Sequence, residues 1–149
     1  MNPANHSSSE LYIVSGLDTT EKFVLVADDD PAIVRLIKAI LVGEGFIPVA
    51  ARDGKEAYKI LQSGGPLVAA ILDVAMPYIQ GTELVRFMQT DERFKSIPVI
   101  VMTAEHDPRI TSGNLSAGAI VFLPKPFKNA QLKLMLNTLI EGRDVHTNE

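Results

Sequence analysis

The sequence contains no cysteine. Without thiols there is no disulfide scaffold, no thiolate metal site and no cysteine nucleophile, and the composition fits a reducing compartment. An excess of positive charge is missing too. Fourteen Lys and Arg stand against 18 Asp and Glu, a formal net charge of -4, which argues against nonspecific binding of nucleic acid or an anionic membrane by the whole chain. No apolar run approaches the roughly 18–20 residues that a membrane span requires. The opening stretch, Met1 to Glu10, has neither a cationic start nor an apolar segment behind it, so it does not read as a secretory signal. A cytoplasmic protein is expected.

What remains is an ordinary globular composition, 46% hydrophobic and 21% charged over 149 residues. At about 100–200 residues per domain this is one domain, with enough chain to bury about 68–70% of its unfolded surface. Residues 1–21 read as a polar, Ser-rich N-terminal tail with one apolar patch, Leu11-Tyr12-Ile13-Val14, and residues 142–149 as a polar C-terminal tail. The globular part is residues 22–141. His6 and His146 fall in the tails and His106 in a loop, none with ligand spacing, and the five Met read as core gap-fillers.

Within the globular part, short apolar runs alternate with helical patterns. Phe23 to Ala27 is wholly apolar and stops at acids, as a strand buried on both faces does. Asp30-Pro31 opens a helix, with Asp as cap and Pro in its first turn; Ile33, Ile37, Ile40 and Leu41 give it an apolar face, and Gly43 and Gly45 end it. Phe46 to Ala51 is a second strand, placed at a sheet edge because Pro48 has no N–H to donate. Asp53 and Glu56 form a capping-box pattern ahead of Ala57, Ile60 and Leu61, and Gly64-Gly65 closes that helix. Leu67 to Leu72, Pro98 to Met102 and Ile120 to Leu123 are further strands, each halted near a polar residue. Helices are expected over Thr82 to Gln89 and Asn129 to Glu141. Parallel neighbours need a crossover, so a short helix is also expected between Asp107 and Ala117, although Pro108, Gly113 and the polar residues there are poor helix formers. Five strands alternating with five helices give an α/β fold, a flavodoxin-like three-layer sandwich whose parallel sheet has strand order 2-1-3-4-5.

In such sheets ligands bind beyond the carboxyl ends of the strands, where the strand order reverses. Asp28-Asp29-Asp30 follow the first strand, Asp73 the third, Thr103 the fourth and Lys125 the fifth. Any one of these is unremarkable in a loop. Together, carboxylates on adjacent strands repel one another unless a cation sits between them. A hard divalent ion such as Mg²⁺, which takes one or two carboxylates plus water and phosphate oxygens, suits Asp28, Asp29 and Asp73, with Asp30 left to cap the helix. A carboxylate beside a metal, an ammonium and a hydroxyl is equipped for phosphoryl transfer through an aspartyl phosphate. Asp73 is then the acceptor, Lys125 the counter-charge and Thr103 the group that senses the phosphoryl oxygen.

With these residues in place the chain resembles the receiver domains of two-component response regulators, over residues 22–141. The shared motifs are Asp28-Asp29, Asp73 in Leu72-Asp73-Val74-Ala75-Met76-Pro77, Thr103-Ala104, and Gly118-Ala119 ahead of Phe122-Leu123-Pro124-Lys125-Pro126-Phe127. Their separations, 44 residues (29 to 73), 30 (73 to 103) and 22 (103 to 125), are those of the family. The resemblance implies a signalling module rather than an enzyme. It implies that Asp73 takes a phosphoryl group from a sensor histidine kinase or a histidine phosphotransfer protein, with Mg²⁺ as cofactor and the backbone carbonyl of Ala75 completing the metal shell. It implies a cis Lys125-Pro126 bond and an aromatic switch at Phe122, moving with Thr103. Phosphorylation then changes the face built by the fourth helix, the fifth strand and the fifth helix. A downstream protein, or a second copy, reads that face, without direct contact to nucleic acid or membrane. Ala75 is smaller than the polar residue common there, Gln80 stands where an acid or Asn is usual, and Glu105 adds negative charge near the entrance.

Three other functions compete on the same fold. A Mg²⁺-dependent phosphatase would use Asp28 and Asp30, spaced by two, but Pro31 follows at once and no segment is left for a cap. A flavin-binding protein would want a Ser/Thr/Gly-rich phosphate loop where three acids stand. An inactive scaffold would lack a site residue, and none is missing.

Overall fold

Phe23–Ala27, Ile47–Ala51, Ala69–Asp73, Val99–Ala104 and Ile120–Lys125 form strands β1 to β5 of one parallel sheet in a computed structural model. The structure describes residues 21–104 and 120–141. The strand order is β2-β1-β3-β4-β5, as expected. Among the described residues the helices are α1 (Pro31–Gly43), α2 (Gly54–Ser63), α3 (Gly81–Gln89) and α4 (Asn129–Leu136). The expected crossover helix between Asp107 and Ala117 lies outside the described residues. So do Glu105, His106, Gly118-Ala119 and the tail residues 1–20 and 142–149.

Alternation along the strands builds two cores. Val24 and Val26 of β1 point with Ile71, Ile100 and Leu123 into a cluster closed by Ile37, Ile40 and Leu41 of α1 and by Leu132 and Leu136 of α4. Leu25 and Ala27 point the other way, with Leu72 and Val101, into a cluster closed by Ala57 and Leu61 of α2 and Leu84, Val85 and Met88 of α3. Both faces of the central strands are therefore covered, which is why those strands are continuously apolar.

Several boundaries move for identifiable reasons. Phe46 is not part of β2. Its N–H donates to the carbonyl of Leu41 at 2.9 Å and its ring is buried, so it closes the end of α1 instead of joining the ladder. β3 starts at Ala69, two residues later than expected, although the N–H of Val68 already donates to the carbonyl of Phe23 on β1 at 2.8 Å. At their other ends the strands run through the polar residues that seemed to stop them: Asp73 pairs with Met102, Thr103 with Pro124 and Ala104 with Lys125. Pro48 sits on β2, which pairs with β1 at the sheet edge. The last helix is not uniform, since α4 gives way to a π-helical turn over Asn137–Glu141.

The helix starts are set locally. The Asp30 carboxylate accepts from the N–H of Ala32 at 2.9 Å. At α2 the Asp53 carboxylate accepts from the N–H of Glu56 at 2.8 Å, but the return arm closes one residue early, with the Glu56 carboxylate accepting from the N–H of Arg52 at 2.8 Å. Both ends hold orphan helical N–H groups that would otherwise lack acceptors.

Candidate functional site

The carboxyl ends of β1, β3 and β5 deliver the expected acids and ammonium to one place. Carboxylate oxygens of Asp28, Asp29 and Asp73 all lie within 4.8 Å of one another, and Asp28 and Asp73 are buried while Asp29 is exposed. Lys125 reaches across from β5. Its Nζ lies 2.8 Å from Oδ2 of Asp28 and 3.2 Å from Oδ1 of Asp73. The other oxygen of Asp28 accepts from the N–H of Asp30 at 2.8 Å, so this buried carboxylate is held on both sides. The Lys125-Pro126 peptide is cis.

Three carboxylates against one ammonium leave two negative charges uncompensated, and the site's titration reflects it. Burial pushes the Asp73 carboxyl above its ordinary value, and the charge of Asp28 pushes in the same direction, against the pull of Lys125. For Lys125 burial works against the charged form, but the hydrogen bond to Asp28 and the charges of Asp73 and Asp28 outweigh it and hold its ammonium above the usual lysine range.

This donor set fits a hard divalent cation. Mg²⁺ binds oxygens at about 2.0–2.1 Å in an octahedron, which puts its ligands roughly 3–4 Å apart. The observed oxygen spacing therefore needs only small side-chain movement, and the ion's charge matches the excess. Asp30 is taken up by the helix cap and is no part of the set.

The remaining expected residues stand as follows. Thr103 is buried on β4, one residue beyond the ladder partner of Asp73. Phe122 is half-buried, pairs with Val101, and packs on the core between the sheet and α2 and α3, outside the acid cluster. Ala75 is exposed in the turn after β3. Beside the acid pair lies a cavity of about 420 Å³, lined by Asp28, Asp29, Val34, Ala51, Arg35 and Arg52 among others, so the carboxylates are approachable from solvent.

Sequence reasoning missed how the turn after Asp73 is held. Tyr78 has φ 73, a left-handed conformation uncommon for a residue with a side chain, and Gly54 and Gly81 press against the turn's backbone. The only signal was a pair of glycines that helix-start rules alone did not require.

Comparison with known proteins follows the same lines. Residues 24–137 match the response regulator receiver domain family. Protein PetR of Rhodobacter capsulatus is 35% identical over 117 residues, covering 78% of this chain and 48% of that protein. The DNA-binding response regulator MtrA of Mycolicibacterium smegmatis is 30% identical over 116 residues, covering 78% of this chain and 49% of that protein. The chain thus spans about half the length of these curated relatives. Among solved structures, response regulator protein TrrA of Thermotoga maritima in complex with Mg²⁺-BeF aligns with a TM-score of 0.69 and 31% identity, covering 79% of this chain and 98% of that one.

Proposed function

The chain belongs to the response regulator receiver domain family, and from that premise we propose that Asp73 accepts a phosphoryl group from the phosphohistidine of a sensor kinase or a phosphotransfer protein. One observation carries the reading: three carboxylates converge within 4.8 Å while Lys125 bridges the two buried ones. Asp28, Asp29, Asp73 and the backbone carbonyl of Ala75 would hold Mg²⁺, which supplies neutralisation of the phosphoryl oxygens when bound.

An oxygen of Asp73 attacks phosphorus, the new O–P bond forms as the P–N bond breaks, and the electron pair of that bond returns to the imidazole nitrogen. Against the burial that raises the Asp73 carboxyl, the charge and hydrogen bond of Lys125 pull it back toward the ionised nucleophile. Lys125 places its ammonium against the equatorial charge that develops. The Thr103 hydroxyl would follow the phosphoryl oxygen, Phe122 would repack with it, and the face formed by the expected crossover helix between Asp107 and Ala117, β5 and α4 would change its affinity for a downstream protein or a second copy. The net charge of -4 favours protein over nucleic acid as the direct partner of this chain. No helix among the described residues is long and apolar enough to cross a membrane.

Incubation with Mg²⁺ and acetyl phosphate, followed by intact mass, tests the proposal. One added phosphoryl group is expected, absent in Asp73→Asn and abolished by a chelator. Uptake of the label by Asp73→Asn at another carboxylate would overturn the assignment of the acceptor.

A further inference from the structure

The turn between β3 and α3 begins at the proposed acceptor and is gripped by glycine backbone at its far end and on its flank. At its far end the N–H of Gly81 donates to the carbonyl of Val74 at 3.1 Å, and a Cβ on Gly81 would collide with the carbonyl oxygen of Asp73. On its flank the N–H of Gly54, the first residue of α2, donates to the carbonyl of Pro77 at 3.3 Å. A Cβ there would collide with the carbonyl oxygen of Ile79 and lie 2.8 Å from its Cβ. Gly54 is buried and has no positive φ, so space alone, not backbone conformation, excludes a side chain.

Between these grips the turn is under tension. Ile79 donates its N–H to the carbonyl of Pro77 at 2.9 Å, which encloses Tyr78 at φ 73. Such a residue persists only where its surroundings over-determine it. Gly54 supplies part of that constraint, and the next residue supplies more, since the Lys55 ammonium lies 5.8 Å from the centroid of the Tyr78 ring. The start of α2 is in turn fixed by the Asp53 cap.

We infer that Gly54 is a positioning residue for the metal shell: by letting the Pro77 and Ile79 carbonyls rest against the start of α2, it sets the turn that carries Ala75. The inference rests on the reading that the acid cluster holds a divalent cation. Its force comes from the geometry such an ion demands, which tolerates errors of only a few tenths of an ångström. A methyl group at residue 54 must push the Ile79 peptide away by roughly 1.5 Å to reach a normal contact distance. Loss of outer-shell support of this kind costs about 10–100-fold in metal affinity.

The test uses Mn²⁺ alone as probe, with free ion counted by electron paramagnetic resonance. Gly54→Ala is expected to weaken Mn²⁺ binding about tenfold, whereas Gly43→Ala, where a Cβ meets nothing within 4 Å, leaves it unchanged. With saturating metal, labelling of Gly54→Ala by acetyl phosphate should return to within about twofold of the wild-type rate, since outer-shell support acts on metal affinity and not on the acceptor. A Gly54→Ala protein that melts lower but binds Mn²⁺ as the wild type does would overturn the inference, because that is the result of a merely structural role. Should the variant not fold, ¹⁵N-labelled wild-type protein titrated with Mg²⁺ decides. The Gly54 amide resonance is expected to move along the site's own saturation curve, and a Gly54 amide that stays in place overturns the inference. Wild-type protein that binds neither ion overturns both this and the proposed function, whereas equal binding by wild type and variant removes the positioning role alone.

Discussion

The ammonium of Lys125 lies 2.8 Å from a carboxylate oxygen of Asp28, a buried acid 97 positions away in the chain. This contact ties the edge strand β5 to the interior strand β1 across β3 and β4. It also gives the site one positive charge where three negative ones meet, and most of the site's expected behaviour follows from that imbalance.

Asp73→Asn should stabilise the metal-free protein by about 1 kcal/mol, a rise in melting temperature of about 3–5 °C. The folded protein raises the Asp73 carboxyl above its ordinary value of 3.8, chiefly through burial and then through Asp28. The folded state therefore binds this proton more tightly than the unfolded state, and the associated stability is complete below the unfolded value. It is lost as pH rises through the folded value. The gain from Asp73→Asn should thus be small at pH 3 and full at neutral pH. Thermal melts in chelator at both pH values check it, and a variant less stable than wild type at neutral pH would contradict it.

Lys125→Ala should cost about 2–4 kcal/mol in the absence of metal, because it leaves the Asp28 carboxylate buried without its counter-charge. Added Mg²⁺ should return part of that loss, while giving the wild type a smaller increment. The Lys125 ammonium is held above the usual lysine value, against the effect of burial, by Asp28 and Asp73. Its contribution is complete below the ordinary lysine value of 10.5 and disappears as pH rises through the folded value. Denaturant titrations with and without Mg²⁺ measure both effects.

The architecture was readable because its signals are local. Pro48 announces an edge strand through its missing N–H, and Asp30-Pro31 announces a helix start. The apolar runs of β1 and β3 announce burial on both faces. The acids were readable for a related reason: a strand that ends in a carboxylate places it at the sheet's ligand-binding edge whatever the tertiary detail. Phe46 was misjudged because an apolar residue next to a strand looks the same whether it pairs or caps a helix. The π-helical turn at Asn137–Glu141 left no trace, as the segment contains neither Pro nor Gly. Nor could the sequence show that Lys125 grips Asp28 as well as Asp73, or that Gly54 abuts the Ile79 carbonyl. Those contacts exist only once segments distant in the chain have packed.

Asp53→Ala should lower stability by about 1 kcal/mol by removing the acceptor for the Glu56 N–H. Because α2 supports the turn after Asp73, the same variant should also weaken Mn²⁺ binding, though less than Gly54→Ala does. Asn at position 53 keeps the cap and should restore both. Calorimetry together with Mn²⁺ titration of the three variants establishes the order.

Tyr78→Asn should stabilise the protein by about 0.5–1 kcal/mol. A Tyr at φ 73 carries left-handed strain of about 1–3 kcal/mol, and Asn tolerates that region far better. Against the gain stands the lost contact between Lys55 and the Tyr78 ring, worth about 0.5–1 kcal/mol at an exposed position such as this one. The difference remains favourable, and since the turn keeps its hydrogen bond from Ile79 to Pro77, the metal affinity should hold. Urea unfolding of the two proteins in chelator, paired with Mn²⁺ titration, separates the terms. A Tyr78→Asn protein less stable than wild type would mean that the ring's contact with Lys55 outweighs the strain.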